Sequence, residues 1–270
     1  MSERLSWMLP SLYVGRIFST DVRVSLWFLL VLAVVCPRYG IVLGLAFAAM
    51  LLAILLGLPL GLYVGLKPRT TLSRTIAASS ILGFSLPTFW VGIMMILVFA
   101  VELGWLPSTG RGATVRLLGI DLSILTWDGL KHLLLPAINL ALSRIALVIR
   151  LAASGTREVI HMDYVKFARA KGLSQSRVIR VHVLKNILIP IVTVLGLEIG
   201  AVIAFSVVTE TIFAWPGMGQ LIIKSITVLD RPVIVAYLMM TVFLVILINL
   251  AVDILYSVLD PRVRLGEARA

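Results

Sequence analysis

The sequence is short of charge, of acids and of the residues that hold metals or build disulfides. Only 14% of its 270 residues are charged, against about 25% in soluble domains. A single cysteine, Cys36, excludes an intrachain disulfide. With histidines only at His132, His161 and His182, no Cys/His cluster has metal-ligand spacing. No Gly-x-x-x-x-Gly-Lys-Ser/Thr stretch occurs, so the chain has no loop to cradle nucleotide phosphates. No cofactor is expected. The 13 acids face 24 Lys and Arg, a formal charge of +11. The basic residues are not interleaved with aromatics as a base-stacking surface requires, so nucleic acid is not an expected partner. What abounds is apolar: 60% of the chain, with a mean hydropathy of +1.06. A soluble domain of this composition would expose large apolar patches, and disorder is excluded. The solvent that suits this chain is lipid.

A helix needs roughly 20 apolar residues to cross the hydrocarbon layer. Five stretches reach or approach that length: Ile41–Leu66, Ile76–Val101, Leu133–Ile149, Ile187–Val208 and Val233–Leu259. Long unbroken runs lack the alternation of a membrane barrel. A sixth stretch, Val24–Pro37, is shorter, and Pro37-Arg38-Tyr39-Gly40 reads as a turn. Two readings stand for it, a short crossing paired with the next helix as a hairpin, which we favour, and a half-inserted segment. No small-residue cleavage site follows it, so a cleaved leader is not expected.

Loop charges orient the helices. Lys67, Arg69 and Arg74 follow the first long run. The segment from Arg150 to Lys185 carries Arg150, Arg157, Lys166, Arg169, Lys171, Arg177, Arg180 and Lys185 against Glu158 and Asp163, and the tail carries Arg262, Arg264 and Arg269. The loops near 103–130 and 210–232 are close to neutral. By the positive-inside rule the cationic loops and the carboxyl end face the cytoplasm. Arg4, Arg16 and Arg23 put the amino end there too if Val24–Pro37 crosses.

Within the runs, a few residues stand out. Gly57, Gly61 and Gly65 fall four apart and line one helix face. Pro59 among them permits a bend, so this segment reads either as tight packing or as a pliable gate helix. Pro87, beside Ser85 and Thr88, reads as a kink. Glu198 sits mid-helix, where an ionised acid costs at least ~2.5 kcal/mol. It is expected to line a water-filled translocation path or meet a partner, for which Arg144 is the candidate cation. The alternative is that Arg144 snorkels and Glu198 is a neutral packing acid. Asn139 and Asn249 are expected to bond between helices, and Asp253, one turn beyond Asn249, to join the helix packing.

The segment from Arg157 to Pro190 is the most informative. Ile160, Tyr164, Phe167 and Ala168 recur at helical spacing on a polar helix. Gly172 is placed to end that helix, and Ser174 to cap a second. A short helix outside the bilayer needs a partner surface. From physics alone, anionic lipid and a protein partner are equally suited.

Asp163-Tyr164-Val165, then Ala168-Arg169-Ala170-Lys171-Gly172-Leu173, with Pro190 beyond, resembles the cytoplasmic loop of binding-protein-dependent ABC importer permeases. The resemblance extends through Gly57-Leu58-Pro59-Leu60-Gly61, Ser85-Leu86-Pro87-Thr88-Phe89-Trp90, Leu103-Gly104-Trp105-Leu106-Pro107, His132-Leu133-Leu134-Leu135-Pro136, Glu210-Thr211-Ile212-Phe213-Ala214-Trp215-Pro216-Gly217 and Asn249-Leu250-Ala251-Val252-Asp253. It is nearest the dipeptide/oligopeptide/nickel branch, and Phe-Ala-Trp-Pro-Gly resembles the B-type member of the pair.

The resemblance implies an all-α polytopic bundle of five or six spanning helices, of the type I importer permease kind. Residues 41–264 would form the permease domain, with the loop at 157–185 inside it. Residues 1–40 depart from the family pattern, and 265–270 form a cytoplasmic tail. In the family that loop is a coupling helix that docks on an ATPase subunit. Asp163, Tyr164, Phe167, Ala168, Ala170, Lys171 and Gly172 would carry the docking, with Tyr164 and Ala168 on its stripe and Gly172 setting the exit angle. Glu210, Phe213, Trp215, Pro216 and Gly217 would lie at the external mouth, Trp215 otherwise being an interfacial anchor. The implied partners are a second, C-type permease, two ABC ATPases, an external solute-binding protein and the bilayer of a prokaryotic inner membrane. The implied cargo is peptides, nickel chelates or similar small solutes, moved by alternating access. A stand-alone channel or carrier is the alternative. A membrane-embedded enzyme is a weaker one, since the histidines lie away from Glu198 and Asp253.

Overall fold

The computed structural model describes residues 11–17, 20–117 and 120–259, with side chains described over 40–115 and 123–254. Arg4, Arg262, Arg264, Arg269 and the tail at 265–270 lie outside the described residues. The elements run β1 (Ser11–Ile17), β2 (Thr20–Ser25), α1 (Leu26–Leu66), α2 (Thr71–Ser85), α3 (Thr88–Met95), β3 (Val115–Leu117), β4 (Ile120–Leu122), α4 (Trp127–Val159), α5 (Asp163–Ala170), α6 (Gln175–Arg177), α7 (Lys185–Ile212), α8 (Met218–Thr227) and α9 (Arg231–Leu259). The strands form two separate antiparallel ribbons, β1 with β2 and β3 with β4. The other described elements are helices, and they pack as a bundle.

Among the described residues four helices are long and apolar enough to cross a bilayer: Gly40–Leu66 of α1, α4, the run Gln175–Ile212 that joins α6 to α7 through a π-helical turn, and Arg231–Ile254 of α9. Counting α2 and Thr88–Glu102 together adds a fifth. α4 is the central element, packed along α1 and against α2 and α7, while α9 and α8 lie on α7. The core between them is made of small and branched side chains, among them Leu45, Ala49, Ala53, Ala141, Val148 and Val202.

Two proline positions behave differently from the expectation. No turn forms at Pro37–Gly40: α1 continues unbroken through it, so Val24–Pro37 is no separate arm of a hairpin. Its 41 residues reach about 61 Å. An apolar segment on both sides keeps its backbone bonds internal, and one proline removes only one of them. At Pro87 the outcome is more than a kink. Leu86 is extended (φ −77°, ψ 135°) and α3 restarts after it, at 105° to α2. The residue before a proline is driven from helical geometry, and here the chain follows that preference.

The contact of α1 with α4 depends on missing side chains. A β-carbon on Gly57 would stand 2.7 Å from Val148 Cβ, one on Gly61 2.6 Å from Ala152 Cβ, and one on Gly65 2.5 Å from Thr156 Cβ. Both series advance by four, so the helices run parallel and in register. Pro59 is exposed on the opposite face. Of the two readings of this segment, tight packing describes the geometry. Parallel packing also brings the ends of α1 and α4, and with them the two cationic loops, to one end of the bundle.

Gly61→Ala should therefore lower the thermal midpoint of the purified chain, corresponding to about 1–3 kcal/mol of overpacking strain. Gly44→Ala, where a β-carbon meets nothing within 4 Å, should leave it unchanged. Equal midpoints for the two variants would refute the close contact.

Candidate functional site

α5 is built at the cationic end from two opposed faces. Asp163 in its first turn and Arg169 in its last suit the two ends of the helix dipole. Val165 and Ala168, three residues apart, are buried and pack with Val178, flanked by Leu173 and Val159. The helix ends on Gly172 at φ +77°. There the Leu173 N–H donates to Ala168 O at 3.3 Å and the Gly172 N–H to Arg169 O at 2.9 Å, a Schellman pair. The termination expected at Gly172 is in place, and Leu173 closes the motif by packing on the same cluster. Ser174 stands at the cap of α6, but its side chain makes no capping bond.

The other face looks outward. Tyr164 and Phe167 are 43% and 61% exposed, and Asp163, Ala170 and Lys171 are exposed beside them. Lys171 Nζ lies 4.5 Å from the centre of the Phe167 ring, Lys166 bridges to Asp163 at 2.9 Å, and the Tyr164 and His182 rings are 6.4 Å apart. Ala168 departs from expectation. It is 4% exposed and belongs to the inward face, packed with Val165 and Val178. Val165 and Val178 were missed in the sequence; the signal was the apolar pair three apart, which a single-stripe reading folded into the outer face.

Midway along the bundle, Arg144 Nη2 on α4 is 3.2 Å from Glu198 Oε2 on α7, their side chains being 13% and 35% exposed. Arg144 Nη1 donates to Ser143 Oγ at 2.7 Å, and its Nε is buried without a partner. Arg144 is therefore paired inside the bundle and does not snorkel. Asn139 adds a second tie between the same helices, Nδ2 donating to Thr209 Oγ1 at 3.0 Å. On α9, Asn249 is half-buried, while Asp253, expected in a helix contact, is exposed.

Farther along α7, at the opposite end from α5, Glu210 is fully buried. Its Oε1 accepts from Ser206 Oγ at 2.8 Å. Its Oε2 accepts from the N–H groups of Gly219 at 2.7 Å and Gln220 at 3.3 Å, at the start of α8, where backbone donors lack helical partners. Gly217 lies against this carboxyl, and a β-carbon there would collide with it. The Trp215 N–H donates to Glu210 O at 2.8 Å, and the Gly110 N–H to Phe213 O at 2.9 Å, which fastens the loop after α3 to this turn. Phe213 and Trp215 are buried, so Trp215 is no interfacial anchor; Pro216 is half-buried. Ser206 and Gly219 were not singled out from the sequence, because only the return of α8 brings them to Glu210.

Comparison with known proteins decides the family. Residues 57–265 match the family described as binding-protein-dependent transport system inner membrane component. The chain belongs to that family. Among similar relatives is the di/tripeptide transport system permease protein DppB of Pseudomonas aeruginosa, 41% identical over 234 residues, covering 82% of this chain and 70% of the relative. The dipeptide transport system permease protein DppB of Escherichia coli K12 is 36% identical over 243 residues, covering 84% and 72%. The oligopeptide transport system permease protein AppB of Bacillus subtilis is 40% identical over 197 residues, covering 73% and 60%. In fold the chain is similar to a chain of the inward-facing MetNI methionine ABC transporter, with a TM-score of 0.64 at 19% identity, covering 83% of this chain and 94% of that one. The protein is thus a multi-pass membrane permease component of an ABC importer, working in a complex with other subunits, among them a separate ATPase. The channel, carrier and enzyme readings give way to it.

In this permease the Glu210 carboxyl is the bolt between α7 and α8. Glu210→Ala should destabilise the folded chain by about 2–3 kcal/mol, since it strands buried donors at a helix start. Protease cleavage near 213–218 should rise with it. A variant that melts and resists protease like the parent would show the bolt to be dispensable.

Proposed function

We propose that this permease forms half of a translocation pathway for dipeptides or short oligopeptides in a prokaryotic inner membrane. A second, C-type permease would supply the other half, two ABC ATPases the drive, and an external solute-binding protein the cargo. The peptide class is what the relatives are named for. The carboxyl end would face the cytoplasm, as the cationic loops require.

The observation that carries the reading is α5: two exposed aromatics, Tyr164 and Phe167, on a helix whose other face is pinned by Val165 and Ala168 to Val178. Exposed aromatics on a rigid support suit an interface anchor. A pinned helix also transmits force, because a load on Tyr164 and Phe167 is carried through Val178 into the helix that continues as α7. ATP-driven closure of the ATPase pair would move α5 as a lever and rock the bundle between outward-open and inward-open states. Asp163, Ala170 and Lys171 would frame the contact, and Gly172 holds the exit angle. Glu198 and Arg144 would line the polar path, and the turn from Phe213 to Gly217, held by Glu210, would shape the external mouth from behind.

The double variant Tyr164→Ala/Phe167→Ala should reduce ATPase copurification at least about tenfold, the weight of an aromatic hot spot, with the thermal midpoint unchanged. Undiminished ATPase binding, or labelling of residue 164 only from the external side, would overturn the docking assignment. Separately, Glu198→Gln should slow peptide uptake while ATPase copurification stays intact; uptake and substrate preference like the parent's would remove Glu198 from the path.

A further inference from the structure

At the cationic end a cleft of about 590 Å³ opens between the end of α1, the start of α2 and the approach to α5. Lys67, Arg69, Arg157 and Arg169 line it together with His161, and no carboxylate does. None of the four cations is bridged to a carboxylate among the described residues. All four are exposed, and together they make a positive surface that favours an anion.

A second feature says which anion. Along α1, α2 and α4 lies a largely apolar groove of about 240 Å³, whose walls include Leu60, Ile76, Ala146 and Ile149 and the hydroxyls of Ser79 and Ser80. Ala146 and Ile149 in the groove are each eleven residues, about three turns, before Arg157 and Ile160 in the cleft, so both hollows occupy one face of α4, about 17 Å apart. On α2, Leu72, Ile81 and Leu82 are exposed, with Arg74, Thr75 and Ser79 exposed among them. A free phosphate or nucleotide has nothing to place in the groove, and of the apolar neighbours within the membrane, lipid and the second permease, a phospholipid brings the negative charge that the four cations favour. We propose that cleft and groove together bind one anionic phospholipid, its phosphate diester among Lys67, Arg69 and Arg157 and an acyl chain along α2. A basic pocket between helix ends at headgroup depth is the chemistry such lipids recognise. The site needs only the headgroup level of the membrane and stands whether or not α5 docks an ATPase.

The test is native mass spectrometry of the full chain in detergent with phosphatidylglycerol or phosphatidylcholine added. The parent should retain phosphatidylglycerol preferentially. Lys67→Gln/Arg157→Gln should weaken that retention about thirtyfold, from about 1 kcal/mol per basic residue. Ser79→Trp, which fills the groove from α2, should weaken it while leaving the thermal midpoint near that of the parent. Equal retention of the two lipids, or retention unchanged in the charge variant, overturns the proposal. So does competition by inorganic phosphate at the affinity of the lipid, which would make the cleft a soluble-anion site. A charge variant that loses ATPase copurification but keeps the lipid would assign the cleft to the ATPase and overturn it as well.

Discussion

The molecule depends on one contact, the parallel packing of α1 on α4 through Gly57, Gly61 and Gly65. In lipid there is no hydrophobic drive between helices, so association rests on close backbone approach. Three glycines facing Val148, Ala152 and Thr156 supply that approach. Because the two series keep step, the helices are locked in direction and in height. That lock puts Lys67 and Arg69 beside Arg157 and Arg169. A slip of one turn in this register, about 5.4 Å, would draw the two cationic loops apart.

The sequence disclosed elements well and junctions unevenly. Long apolar runs carry their own signal, since lipid demands helices that satisfy their backbone internally. Prolines do not. Pro37 sits inside a continuous helix and Pro87 at a 105° break, the reverse of what the turn-like Pro37-Arg38-Tyr39-Gly40 and the hydroxyl-flanked Pro87 suggest, so the local pattern alone does not decide a proline's outcome. Gly172 was legible because a left-handed residue at a helix end is a local matter. The inward turn of Ala168 was not, since it depends on Val178, ten residues farther on.

Glu210 shows the same limit from the other side. Three residues before the Phe-Ala-Trp-Pro-Gly turn it reads as surface, and an acid near a turn ordinarily is. Its burial follows only once α8 folds back and presents the N–H groups of Gly219 and Gln220. A buried carboxyl with two backbone donors and a serine donor is a satisfied group, and satisfied buried polar groups specify one arrangement among many. The same holds, less completely, for Arg144 and Glu198, where a buried Nε is left without a partner. The incomplete pair is therefore the better place for a moving polar solute to exchange contacts, and the complete one the better place for a rigid joint.

The common carrier of these features is the helix from Gln175 to Ile212. Near its start Val178 takes the pin from α5, near its middle Glu198 pairs across to α4, and near its end Glu210 bolts α8 and, through Phe213, the loop after α3. Its 38 residues span about 57 Å, more than the hydrocarbon layer alone requires, so it reaches from one face to the other as one rod. It departs from α-helical geometry at the π-helical turn Val178–Leu184, a form that is rare within regular helices and frequent at functional sites. That turn begins at the pin itself, so α5 meets the rod where its hydrogen bonding changes, while Glu210 fixes the far end to α8.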